Sequence, residues 1–132
     1  MLIAFTVSGI PSPQGSLRHV GRGRMIYTDK LIEWRQQVVK ATERMAETVD
    51  VIDYPIYVRL EVRVPRPKSV KRAYPLTRSS GDLDKHQRCI GDALVLGGLI
   101  SDDSIILDWR ASKRYSTDPG VTIYIDPIRE LN

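Results

Sequence analysis

A strict alternation of apolar and polar residues at positions 56–64 constrains this chain more than any other feature. Its apolar members are Ile56, Val58, Leu60, Val62 and Val64, and its polar members are Tyr57, Arg59, Glu61 and Arg63. Because successive side chains of a strand point to opposite faces, this period of two predicts a strand with one buried face. It is the clearest strand in the chain, and the other elements are interpreted around it.

Two segments have the three- and four-residue spacing of amphipathic helices. The first follows a candidate N-cap at Thr28 or Asp29, and its apolar stripe consists of Leu31, Trp34, Val38, Ala41 and Met45. The second begins at Gly81 or Asp82 and ends at the glycine pair 97–98, with a shared face formed by Leu83, Gln87, Ile90 and Leu94. The first stripe is interpreted as core packing, with Trp34 as a core residue.

Three shorter alternating patterns predict further strands. They comprise Ile3, Phe5 and Val7, then Ile105, Leu107, Trp109 and Ala111, and finally Val121, Ile123 and Ile125. A turn at 117–120 makes the last strand antiparallel to the one before it. The order β-α-β-loop-α-β-β predicts an α+β fold, a single domain over residues 1–132 with a mixed or mostly antiparallel sheet.

Composition narrows the class of protein. The 132 residues include one cysteine, Cys89, so an intramolecular disulfide and a cysteine zinc cluster are excluded. Cys89 is expected to be a small buried hydrophobe. The apolar N-terminus is too short for a signal peptide, and no segment approaches a membrane span. We therefore expect a cytoplasmic protein with no membrane partner.

The net charge of +4 is modest, but the charges are segregated along the chain. Positions 63–81 hold six basic residues and no acidic one: Arg63, Arg66, Lys68, Lys71, Arg72 and Arg78. A second basic stretch contains Arg18, Arg22 and Arg24. Prolines at 65, 67 and 75 indicate that the first stretch is a long exposed loop beyond the strand. Both stretches are candidate phosphate-binding segments, although solvated surface is the alternative.

Aspartates cluster on either side of the second helix. Asp82 and Asp84 lie where the helix begins, and Asp102 and Asp103 follow its end. The helix is roughly 20 Å long at 1.5 Å per residue, so spacing alone leaves open whether the two pairs meet. If they meet, their mutual repulsion requires a cation, and oxygen ligands without histidine or cysteine favour Mg²⁺ or Mn²⁺. The alternative is that they are helix caps and turn residues.

The segment 81–113 contains three short runs in a fixed order: 82–84 (Asp-Leu-Asp), 92–94 (Asp-Ala-Leu) and 98–103 (Gly-Leu-Ile-Ser-Asp-Asp), followed by Ile106. These runs resemble the signature of the RusA family of Holliday junction resolvases. That signature contains D-L-D-N-x-x-K, then D-A-L, then G-x-x-x-D-D-x-x-V. Lys113 falls where the family often has a lysine in the next strand. A P-x-P-Q-G-S-x-R segment at 11–18 matches more loosely.

The resemblance implies a small α+β homodimer that cuts two symmetric strands of a four-way DNA junction with the help of Mg²⁺, for which Mn²⁺ substitutes. It implies that Asp82, Asp84 and Asp103 are metal-binding catalytic carboxylates, assisted by Asp102. The family asparagine is Lys85 here and the family lysine is Arg88. Arginine keeps the positive charge but cannot act as a base, so either its role is electrostatic or Lys85 has taken part of it.

Several residues have a structural interpretation beside a functional one. His86 is expected to be a packing or solvent-exposed histidine rather than a ligand, and Trp109 a core residue. Tyr74, in the basic loop, is the better candidate for stacking on a base. Lys113 is counted with the DNA-binding candidates. Two rival functions stay open: a DNA-binding module without catalysis, and a nucleotide phosphotransferase, which lacks its phosphate-cradling glycine loop here.

Overall fold

The computed structural model describes residues 2–15, 17–19 and 25–129, with the backbone alone for 17–19 and 25–27. Its longer elements, in chain order, are β1 (Ile3–Ser8), β2 (Leu17–His19), β3 (Met25–Tyr27), α1 (Asp29–Ala46), β4 (Ile56–Val64), α2 (Leu83–Leu96), β5 (Ile106–Tyr115) and β6 (Gly120–Pro127). The strand β4 coincides with the alternating segment. Both helices begin within two residues of the predicted positions.

The main sheet has four strands in the order β1-β6-β4-β5. β4 pairs in parallel with β5 and antiparallel with β6, which also pairs antiparallel with β1. This mixed sheet confirms the predicted α+β class. The crossover from β4 to β5 contains α2, as a parallel connection requires.

β5 and β6 run in opposite directions as predicted, but they do not form a hairpin, because β4 lies between them. The connection 116–119 spans two strand spacings, roughly 10 Å, which four residues can cover. β4 takes the central position because its inward side chains Val58, Leu60 and Val62 are fully buried and need neighbours on both sides. A second, two-stranded sheet pairs β2 with β3, in a segment for which the sequence predicted no strand.

The helices and the inward face of the sheet form one core cluster. Leu31, Trp34 and Val38 of α1 are buried in it, which confirms the predicted stripe. Thr28 caps α1 as predicted, since its Oγ1 accepts a hydrogen bond from the Leu31 amide at 3.3 Å. The end of α2 lies close against α1, where a Cβ at Gly97 would lie 2.5 Å from the Thr42 side chain. Neither helix of the described chain is long and apolar enough to cross a bilayer.

A β-bulge interrupts the pairing of β4 with β5. Ile56 is opposite Ile106, but Tyr57 is opposite Asp108, so Leu107 is an extra residue. Its side chain is 64% exposed. The prediction that Leu107 shares a buried face with Trp109 is therefore wrong, because the bulge shifts the alternation by one residue.

Candidate active site

The sequence spacing left open whether the aspartates at the two ends of α2 meet. The course of β5, which returns along α2, bears on this point. Trp109 of β5 lies beside Gly91 in the middle of α2, where a Cβ would be 3.6 Å from the indole Cζ2. Four residues further on, the Lys113 ammonium donates to the carbonyl oxygen of Gly81, just before α2 begins. β5 therefore runs antiparallel to α2, and the turn Asp103–Ile105, which precedes β5, also contacts this helix.

One open depression of about 270 Å³ lies between α2 and the start of β5. It is lined by Asp84, Gln87, Arg88, Gly91, Asp103 and Trp109. The four α2 residues share one helical face because they are spaced by three, four and seven positions. The structure thus brings together two of the predicted carboxylates, Asp84 and Asp103, and the arginine that replaces the family lysine.

Asp82 and Lys85 lie outside this lining. Asp82 is the N-cap residue of α2 but makes no side-chain capping bond. Its carboxylate is 3.6 Å from the Lys85 ammonium, and its side chain is 71% exposed. An exposed ion pair of this kind contributes only about 0–1 kcal/mol, so it restrains Asp82 weakly.

Asp102 has a structural role in the turn that carries Asp103. It caps the 3-10 turn Asp103–Ile105 by accepting hydrogen bonds from the backbone amide and the hydroxyl of Ser104. These bonds hold the pKa of Asp102 below its usual range. The turn interpretation of the aspartates therefore fits Asp102, and its side chain orients the segment from which Asp103 reaches the depression.

The donor set suits a hard divalent cation with few protein ligands. Within the described residues, no three histidine, cysteine or acidic side chains form a group that could hold a metal ion. Two carboxylates, Asp84 and Asp103, line the depression. Mg²⁺ commonly takes one or two carboxylates and completes its shell with waters and substrate phosphates, so this pair fits it.

The loop before Asp82 is fixed from three sides. Gly81 has a φ of +79°, and a Cβ there would lie 2.7 Å from both the His86 Nε2 and the Pro13 Cγ. His86 is buried, and its Nε2 lies 2.8 Å from the carbonyl oxygen of Ser80. Burial lowers the pKa of His86. This confirms the packing interpretation of His86 and explains the glycine.

Lys113 is the third support of that loop. Its ammonium donates to the Ser80 hydroxyl at 3.0 Å and to the Gly81 carbonyl at 2.8 Å. The structure therefore places the lysine against the chain just before the aspartates. Its predicted contact with DNA stays a prediction.

A buried polar network that sequence reasoning missed joins the N-terminal loop to both helices. The Gln14 amide nitrogen donates to Asp92 at 2.7 Å, and its amide oxygen accepts from Arg35 at 2.6 Å. The Gln14 backbone also donates to the carbonyl of Lys85 at 3.0 Å. Both Gln14 and Asp92 belong to matched parts of the family signature, which was the available signal. The network holds the start of α2 against the loop after β1.

The sequence predicted that both Cys89 and Trp109 are buried in the core. Cys89 is fully buried, and burial raises the pKa of its thiol to about 11, which confirms the prediction. Trp109 packs against the core but is only partly buried, because it also lines the depression. The core interpretation therefore describes Trp34 fully and Trp109 only in part.

The basic loop is exposed, but one residue that the sequence counted with it lies elsewhere. Arg63 is not part of it: Arg63 belongs to β4 and is buried, donating to Thr122 at 2.8 Å and to the Asp118 carbonyl at 3.2 Å. Alternation placed its side chain on the outer sheet face, where these groups cover it. Arg66 donates to the carbonyl of Val70. The remaining basic residues are exposed: Lys68, Lys71, Arg72 and Arg78.

The second basic stretch falls mostly outside the described residues. This applies to Arg22 and Arg24, whereas Arg18 is described only by its backbone position in β2. Tyr74, the predicted stacking residue, is 71% exposed in the basic loop.

A larger depression, of about 500 Å³, lies elsewhere, between the end of α1 and the segment before β4. Its charged lining residues are Glu47 and Asp50, and its other members are Ile3, Thr48, Val49, Val51, Ile52 and Tyr54. Negative charge repels a polyanion, so this larger depression does not suit nucleic acid. The smaller one, which holds the predicted residues, is the candidate site.

Two carboxylates and an arginine line one depression of an α+β fold, and a loop of exposed cations precedes them in the chain, as expected of a nuclease. Residues 7–126 match the family model of endodeoxyribonuclease RusA. The chain belongs to this family. It is also similar to the uncharacterized protein YqaN of Bacillus subtilis (strain 168), with 33% identity over an alignment 141 positions long that covers 93% of this chain and 94% of the relative.

Proposed function

We propose that this protein is a metal-dependent, structure-selective endodeoxyribonuclease that resolves Holliday junctions by paired symmetric nicks as a homodimer. The observation that carries the proposal is that Asp84 and Asp103, which are 19 positions apart, line one depression together with Arg88. Family membership supports the nuclease activity. The substrate geometry, the metal and the dimer are the proposed parts.

Asp84 and Asp103 would hold Mg²⁺, or Mn²⁺ in its place. A divalent cation there would supply Lewis-acid activation of the phosphodiester and of the attacking water. Asp82 is the third candidate ligand, because only a weak surface pair with Lys85 holds it and it lies two residues from Asp84. Asp102 contributes by fixing the turn that carries Asp103.

Arg88 would face the phosphate that is cut. It lines the depression with both carboxylates, whereas Lys85 is paired with Asp82 outside it. A guanidinium can donate two parallel hydrogen bonds to a phosphate and stabilise the charge that develops in the transition state. It stays protonated, so its role is electrostatic and it does not abstract a proton.

Cleavage of a synthetic four-way junction, with linear duplex as the control substrate, tests this function. We expect nicks in the junction alone, in Mg²⁺ or Mn²⁺ and not in EDTA. Asp84→Asn, Asp103→Asn and Asp82→Asn should each lower the single-turnover rate by more than a hundredfold and leave junction binding in Ca²⁺ intact. Asp126→Asn is the matched control, because Asp126 is exposed on the outer sheet face.

Three results would each contradict a part of the proposal. Junction binding without cleavage under any metal would identify a DNA-binding module, which is the rival function. Equal cleavage of linear duplex would remove the structure selectivity. A loss of less than tenfold in all three variants would reject the metal site, since metal activation contributes several kcal/mol.

Homodimerisation follows from the symmetry of the substrate. Four-way junctions have two equivalent strands to cut, while one chain carries one set of site residues, so a C₂ dimer matches the substrate. Light scattering at micromolar concentration without DNA should give twice the chain mass of 15.0 kDa. A monomer that still makes paired nicks would overturn a preassembled dimer.

A further inference from the structure

The indole of Trp109 is left partly uncovered by its place in the sheet. Trp109 is opposite Val58 of β4, and Val58 is fully buried beneath the helices. β5 is an edge strand of the sheet, so within the described residues no further strand covers the other side of Trp109. Gly91 of α2 lies beside the ring and has no side chain to cover it.

The chemistry of the depression leaves two of its groups without a role in the proposed reaction. Asp84, Asp103 and Arg88 account for a cation and a phosphate. The indole of Trp109 and the carboxamide of Gln87 remain, on the same surface. A nucleotide presents a phosphate, a sugar and a flat base with hydrogen-bonding edges, so an aromatic ring and an amide match the base.

We propose that Trp109 stacks on the nucleobase next to the scissile phosphodiester, and that Gln87 hydrogen-bonds to the edge of that base. This rests on the proposed function, because it places the cut phosphate between the carboxylates and Arg88. Stacking on an aromatic side chain tolerates every base, whereas an amide discriminates between base edges. Trp109 therefore positions the nucleotide, and Gln87 makes cleavage depend on its identity.

Tryptophan fluorescence in Ca²⁺ tests the contact without catalysis. The chain has two tryptophans, and Trp34 is buried in the core away from the depression. Titration with a four-way junction should quench the emission of the wild-type protein. Trp109→Phe retains Trp34 and should lose the quenching while binding the junction. Equal quenching in both proteins would overturn the stacking contact.

Single-turnover cleavage with abasic sites next to the cut gives the second test. On an intact junction, Trp109→Ala should be slower by on the order of tenfold, and Trp109→Phe by less, because phenylalanine keeps an aromatic ring on which the base stacks. The abasic junction should slow the wild type equally, and Trp109→Ala should add no further loss on it. Independent, multiplying losses would show that Trp109 only packs β5 on α2.

The role of Gln87 is tested by how strongly the cleavage rate depends on the base next to the cut. Gln87→Ala should reduce the spread of cleavage rates among junctions that differ only in the base next to the cut. Lys40→Ala, at an exposed position on α1, should leave that spread unchanged. An unchanged spread in Gln87→Ala would overturn the role of the amide. Failure of the wild type to cleave any junction would instead reject the proposed function, and the fluorescence result would still decide the stacking.

Discussion

The Lys113 ammonium donates a hydrogen bond to the carbonyl oxygen of Gly81 at 2.8 Å, one residue before Asp82. This bond links the C-terminal part of β5 to the residue before the N-cap of α2, and it fixes the backbone from which Asp82 and Asp84 extend. The bond to the Ser80 hydroxyl and the buried ring of His86 hold the same loop. The fold thus orients the carboxylates through the loop that precedes them.

Replacement of Lys113 should reduce the rate of cleavage more than the affinity for DNA. Lys113→Met removes both donated bonds, and hydrogen bonds from a charged group contribute about 1.5–3 kcal/mol. We expect a single-turnover rate lower by roughly tenfold to hundredfold, because small displacements of catalytic groups are costly. Lys113→Arg should restore part of it. A weaker affinity with a smaller salt dependence, and an unchanged saturating rate, would instead assign Lys113 to phosphate binding.

Arg88 and Lys85 should differ sharply when each is replaced by alanine. Arg88→Ala removes the cation of the depression, so we expect a loss on the order of a hundredfold in the saturating rate. Arg88→Lys should retain part of the activity, because the charge remains while the paired hydrogen bonds are lost. Lys85→Ala breaks only an exposed ion pair and should change the rate by less than about threefold. The reverse order would place the catalytic cation at Lys85.

The exposed cations of the basic loop should govern binding rather than chemistry. Each phosphate contact contributes about 0.9 to the slope of log affinity against log salt. The triple variant Lys68→Ala, Lys71→Ala and Arg72→Ala should flatten that slope by roughly two to three units per protomer. Its cleavage rate at saturating protein should stay near the wild-type value, since binding is lost equally in the ground and transition states.

Junction binding in Ca²⁺ across a salt series, paired with single-turnover cleavage in Mg²⁺, measures both effects. Lys40→Ala and Lys30→Ala, at exposed positions of α1, make a matched control. An unchanged slope in the triple variant would show that the loop is solvated surface. A large fall in its saturating rate would place the loop at the cut phosphate.

Burial of His86 should make the stability of the protein depend on pH. The folded state lowers the pKa of His86 below its ordinary value of 6.5, so the unfolded chain takes up this proton first as the pH falls. The contribution of the neutral ring is complete above pH 6.5, and it is lost as the pH falls from there toward the folded-state pKa. The melting temperature should therefore decrease over that interval.

His86→Gln identifies the group responsible. Glutamine does not titrate, but it keeps an amide donor for the Ser80 carbonyl. Because its shape differs from that of the buried imidazole, the variant should melt lower than the wild type at pH 8. Its melting temperature should fall less between pH 7 and pH 5.5. Differential scanning calorimetry measures both proteins, and parallel curves over this interval would show that other groups cause the dependence.

Local patterns determined much of the fold. The alternation at 56–64 and the stripe from Leu31 to Val38 fixed β4 and α1, because side-chain period is set by the backbone geometry of each element. The cap at Thr28 and the glycines at 97–98 marked helix ends for the same reason. The family signature named the aspartates of the candidate site before their positions were known.

Contacts between elements that are distant in the sequence could not be predicted from local patterns. The separation of β5 from β6, the bulge at Leu107 and the burial of Arg63 all depend on which strand lies beside β4. Strand neighbours are chosen by the packing of the whole sheet, so a short turn between β5 and β6 could not reveal that they are unpaired.

The sequence by itself therefore determined both helices and four of the six described strands, and through the family signature it named the candidate site residues. Only the tertiary structure decided which distant residues meet: Asp103 with Asp84 and Arg88, and Lys113 with Gly81. The physical reason is that periodicity reports the environment of one element, whereas these contacts arise when β5 returns along α2 and one helix and one strand share a surface.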